Sequence, residues 1–73
     1  MITVHVTYSD MQYDQQYTEG TTVKDFAWKF LEDNMLDDGC FISINGVNMT
    51  HHLDYLLQDG DNITVLPMIL SGG

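Results

Sequence analysis

The chain contains no arginine and only two lysines, Lys24 and Lys29, against eleven carboxylates, for a formal net charge of −9. Nucleic-acid binding needs cations against phosphate, so this balance excludes it. Anionic membrane surfaces are disfavoured for the same reason. The natural counterpart is a protein with a basic docking surface, because opposite fields speed encounter. The acidity also favours solubility. With one cysteine, Cys40, no disulfide can form within the chain. No apolar run approaches the ~18 residues of a membrane-spanning helix, and the N-terminal residues do not read as a signal peptide. A soluble, cytoplasmic chain is expected. Seventy-three residues make one domain, which buries only about 60% of its unfolded surface. That leaves little room for a deep catalytic pocket and weighs against an independent enzyme.

One uncharged stretch stands out in this acidic chain: Leu66-Pro67-Met68-Ile69-Leu70-Ser71-Gly72-Gly73. At average glycine usage, Gly-Gly closes a random sequence about one time in 200. Glycine lacks Cβ, so a Gly-Gly segment enters channels too narrow for other residues. The expectation is a flexible tail over residues 67–73. It presents the Gly73 carboxylate as an unhindered acyl group for another protein to work on. A frayed end is the competing reading, and Gly-Gly alone does not decide between them.

The preceding residues read as a single domain, 1–66. Ile2, Val4, Val6 and Tyr8 alternate with Thr3, His5 and Thr7, the period of a half-buried strand. Ser9 to Gln12 break the alternation, and Tyr13–Thr18 return as a second strand. Thr22 is a helix N-cap with Asp25 completing a capping box. Val23, Phe26, Ala27, Phe30 and Leu31 then form a helical stripe, with Asp25–Lys29 as an i,i+4 pair. The helix runs to about Asn34 and releases near Asp38-Gly39. Phe41–Ile44 and Val47–Met49 flank Asn45-Gly46, a strong hairpin signal. Leu53, Leu56 and Leu57 suggest a short helical turn. Gln58–Asp61 is a turn. The last strand spans Ile63–Leu66, with Ile63 and Val65 inward and Pro67, which lacks an amide donor, closing it. One helix across one face of a mixed sheet of four to five strands, with first and last strands as parallel neighbours, is an α+β, ubiquitin-like β-grasp arrangement.

The final third resembles the ubiquitin-like sulfur-carrier proteins, which include the molybdopterin synthase small subunit and the sulfur carrier of thiamin synthesis. The matching residues are Phe41-Ile42-Ser43-Ile44-Asn45-Gly46, Leu56-Leu57-Gln58-Asp59-Gly60-Asp61-Asn62-Ile63, and the apolar run to Gly72-Gly73. The resemblance covers about thirty residues as motif and the whole chain as layout. It departs at Ser71, where alanine is frequent, and in a tail about one residue longer than expected. Leu66-Pro67 points to the molybdopterin branch ahead of the thiamin branch. The resemblance implies a carrier that binds no cofactor itself. A ubiquitin-activating-type adenylating enzyme would spend ATP on Gly73, a persulfide would donate sulfur, and a larger synthase subunit would accept the tail. Gly72 and Gly73 would carry the chemistry. Phe41, Leu66, Met68, Ile69, Leu70 and Ser71 would bind the partner.

The remaining candidates have plainer readings. Cys40 has no basic neighbour in sequence to lower its pKa and reads as a small packed residue. His51-His52 with Asp54 lacks a third spaced metal ligand, and Asp59-Gly60-Asp61 lacks a calcium loop's twelve-residue pattern. No metal is expected. His5 belongs to the polar face of the first strand. Trp28 reads as core, with partial exposure toward a partner as the alternative. Phe41, Leu66 and Met68 are expected to form an apolar patch at the tail's root. Two other functions stay open. One is a ubiquitin-like modifier conjugated to lysines through Gly73; the other is a non-catalytic β-grasp interaction module.

Overall fold

The computed structural model describes residues 1–35 and 39–67. β1 (Ile2–Tyr8) and β2 (Met11–Tyr17) form an antiparallel hairpin. Tyr8 pairs with Met11, so the turn is only Ser9-Asp10, tighter than the sequence suggested. Ser9 takes φ 56°, and this left-handed residue lets β2 start two positions early.

The helix α1 (Val23–Asn34) follows. Thr22 Oγ1 accepts from the Asp25 amide at 3.2 Å, and the Asp25 carboxylate accepts from the Thr22 amide at 3.3 Å. Asp25 is thus committed to the cap, and Lys29 pairs instead with Asp33, one turn on, at 3.2 Å. The helix stops at Met35, whose left-handed φ of 54° turns its amide onto the Glu32 and Leu31 carbonyls. The chain therefore leaves the helix earlier than Asp38-Gly39. Asp37 and Asp38 lie outside the described residues.

β3 (Cys40–Ile44) and β4 (Val47–Asn48) make a second hairpin around Asn45-Gly46. Both turn residues have positive φ, 53° and 84°, as a two-residue connection requires. β5 (Asn62–Pro67) completes a five-stranded sheet in the order β2-β1-β5-β3-β4. It runs parallel to β1 and antiparallel to β3. The last strand therefore lies at the centre, as a β-grasp fold requires.

Period-two alternation puts Val4, Val6, Ile42, Ile44, Ile63 and Val65 on one sheet face. There they are buried against Val23, Phe26 and Phe30 of the helix. Phe26 stacks on Phe30 at 5.7 Å between ring centroids, and Tyr8 and Tyr17 meet these two rings edge-on at 5.0 and 6.0 Å. Such aromatic contacts add to simple area burial. Trp28 is not core: it is 69% exposed. Two residues from both Phe26 and Phe30, it lies about 200° around the helix from each, on the side away from the sheet.

No helical turn forms between β4 and β5. That connection spends its carbonyls on the helix instead. The Val23 amide donates to the Tyr55 carbonyl at 2.9 Å and the Lys24 amide to the Leu53 carbonyl at 3.0 Å, capping two of the open N–H groups. Leu57 is buried, while Leu53 and Leu56 stay exposed.

Candidate functional site

β5 is the platform from which the C-terminal stretch departs. Ile63 and Val65 are fully buried, and β1 and β3 hydrogen-bond to β5 from either side. A strand held on both edges and one face is the least mobile element available. Its other face carries Thr64 and Leu66. Leu66 pairs across the ladder with Phe41 of β3, and Thr64 pairs with Ser43 on β3 and Thr7 on β1. Leu66 is 56% exposed and Phe41 46%, and cross-strand partners share a face. They form an apolar pair beside a row of small hydroxyl side chains. The structure thus brings Phe41 and Leu66 together next to Pro67, which pairs with Cys40 at the end of β5. Met68, Ile69, Leu70, Ser71, Gly72 and Gly73 lie outside the described residues.

Other candidates are placed clearly. Cys40 is buried among the core side chains, and burial pushes its thiol pKa up. It is the opposite of an activated nucleophile. His51, His52 and Asp54 are exposed. Among the described residues, no three His, Cys, Asp or Glu side chains converge as metal ligands do. His5 is exposed on the outer sheet face, with its Nδ1 2.6 Å from Asp14 Oδ1 across the β1–β2 hairpin. The two-residue turn sets that pairing, so the register of the hairpin was the missed signal. Both side chains are at least half exposed, so the pair contributes little to stability.

Sequence reasoning missed Asp61. It is only 5% exposed. Its carboxylate accepts from Asn45 Nδ2 at 2.9 Å, the Gln58 amide at 2.8 Å and Tyr55 Oη at 3.2 Å. Asn45 returns the favour to β5: its Oδ1 accepts from the Asn62 amide at 2.9 Å. Asp59 accepts from the Thr3 amide at 2.8 Å. The Asp59-Gly60-Asp61 turn is therefore a clasp. It locks the entrance of β5 to β1 and to the β3–β4 turn, which fixes where the far end of β5 emerges. A carboxylate two residues before an apolar strand, with an Asn-Gly turn elsewhere, was the available hint.

The mixed five-stranded sheet, the single helix across it and the central last strand define a ubiquitin-like β-grasp protein. The family model described as "ThiS family" matches residues 6–73, and the chain belongs to that family, the ubiquitin-like sulfur-carrier group its motifs resemble. A solved structure from Pyrococcus furiosus, provisionally described as molybdopterin converting factor, subunit 1, is similar with a TM-score of 0.75. The likeness covers 94% of this chain and 100% of that one at 20% identity. At that identity the likeness speaks for the fold. Comparison with curated proteins gives no match.

Proposed function

We propose that the chain is a protein co-substrate that carries sulfur on the carboxylate of Gly73 for cofactor biosynthesis. The observation that carries this reading is membership of the sulfur-carrier family through residue 73. The rigid β5 platform, with Phe41 and Leu66 exposed where the tail begins, supports it.

A carboxylate is a poor acyl donor and needs a leaving group. In this reading an activating enzyme joins Gly73 to the AMP portion of ATP and releases pyrophosphate. The terminal sulfur of a persulfide displaces AMP, leaving an acyl disulfide. A thiol then reduces the S–S bond and frees a thiocarboxylate on Gly73. That sulfur is nucleophilic and passes to a biosynthetic intermediate in a larger synthase subunit. The molybdopterin branch stands ahead of thiamin on the Leu66-Pro67 pair. Gly72 and Gly73 thread the partner's channel because they lack side chains. Met68, Ile69 and Leu70 seat in an apolar groove of the partner, each contributing at ~25 cal/mol per Å² buried, less the cost of ordering the tail. Phe41 and Leu66 dock the body.

The test is intact mass after incubation with ATP, an activating enzyme of this type and a persulfide donor. The expected gain is that of one oxygen replaced by one sulfur, localised to Gly73 by fragmentation. A chain lacking Gly73 should fold normally and gain nothing. Sulfur incorporation into that truncated chain, or an isopeptide link to other proteins in place of sulfur, overturns the reading.

A further inference from the structure

Among the described residues nothing pairs with the outer edge of β2, which ends the strand order β2-β1-β5-β3-β4. The backbone of β1 shows which groups that edge presents. The His5 amide donates to the Asp61 carbonyl at 2.8 Å, and the Gly60 amide donates to the Thr3 carbonyl at 2.7 Å. Thr3 and His5 thus point away from β2. Successive residues of a strand point their backbone groups to opposite sides, so Val4 and Val6 point toward β2 and consume their partners Gln15 and Tyr13. Gln12, Asp14 and Gln16 therefore turn their N–H and C=O groups outward. The strand is seven residues long, Met11–Tyr17, with no proline or lysine. Those are the residues that usually blunt an edge against pairing.

An open groove of about 330 Å³ runs beside this edge, between β2 and α1. Met11, Tyr13, Tyr17 and Phe30 line it, with Asp33 and Lys29. Its walls are aromatic, and the Asp33 charge reaches both Tyr13 and Tyr17, adding to burial in raising their phenol pKa values. Lys29 meets Asp33 at 3.2 Å, but both are more than half exposed, and such a pair exchanges partners readily. Asp14 is the one charge on the strand itself.

We propose that the β2 edge is a docking site for an extended, positively charged segment of a partner protein. The segment adds as a further strand, with alternate side chains laid over Tyr13 and Tyr17 in the groove. Backbone hydrogen bonds supply affinity in this mode, and the groove selects side chains. Cations on the groove side meet Asp33 and the tyrosine faces, and those on the outer sheet face meet Asp14 beside His5, in a molecule of net charge −9. A second copy of this chain is the poorer occupant, since it brings the same net charge and a pairing centred on Asp14 sets that carboxylate against itself. β1 and β5 separate this edge from β3, so it stays open while Phe41 and Leu66 are covered. The inference stands apart from the sulfur chemistry of the tail.

The probe is a seven-residue peptide of alternating valine and lysine, acetylated and amidated, titrated into the full chain and followed by amide hydrogen exchange. Exchange at Gln12, Asp14 and Gln16 should slow by about tenfold or more at saturation, while Tyr13 and Gln15, already in the ladder, should not change. The same peptide N-methylated at alternate residues keeps its charge and should protect nothing. Three results overturn the proposal: no protection by the first peptide, equal protection by the methylated one, or protection without peptide that grows with protein concentration.

Discussion

The carboxylate of Asp61 accepts from Asn45 in the β3–β4 turn and from Tyr55 and Gln58 in the connection that follows β4. Replacing it by alanine removes the charged acceptor that these three donors share. Asp61→Ala should lower stability by about 2–3 kcal/mol, read as a lower urea midpoint; a change within the scatter of the midpoint would show that the clasp is ornamental. Tyr17 answers to pH. Its phenol pKa is pushed up to about 12, first by burial and then by Tyr13 and Asp33. Tyr55 and Tyr13 shift in the same direction. Below the unfolded value of about 10 both folded and unfolded tyrosine are neutral, and the contribution is fully present. Above it the unfolded chain releases a proton that the folded chain keeps, so stability should fall between about pH 10 and 12. Tyr17→Phe should flatten part of that fall in urea titrations run across the range. An unchanged slope would place the loss elsewhere.

At the scale of elements, the local signals were easy to read. β1 announced itself by alternation, α1 by its cap and stripe, and the β3–β4 hairpin by Asn45-Gly46. Each rests on residues a few positions apart. The outward placement of Phe41 and Leu66 followed from the same alternation. The connection from Met49 to Asp61 was misread because its conformation is dictated by something distant. Its carbonyls serve α1, some thirty residues earlier, and Thr22 even forms an isolated bridge with Leu56. Leucine spacing cannot reveal that. The cap is consequently shared between Thr22, Asp25 and this connection. Thr22→Ala should cost about 1 kcal/mol, with the loss seen in thermal or urea unfolding. It should leave the β1–β2 register intact, and a shift in that register by NMR would contradict the assignment of the residue as a cap.

For the molecule as a whole, the mixed sheet was legible as a class, because a single amphipathic helix can cover only one face. The register of β1 on β5 was not, because it depends on Asp59 and Asp61 closing onto β1 and the β3–β4 turn, both made far earlier in the chain. The central seat of β5 has a consequence for how the protein is made. The two hairpins can zip up as soon as they are synthesised, yet no strand joins one to the other until the fifth slides between them. The sheet is thus finished by the strand that is synthesised last of the five. Pairings this distant in sequence fold slowly. Under the proposed function, an enzyme that grips the body before the tail would meet only chains whose sheet is complete.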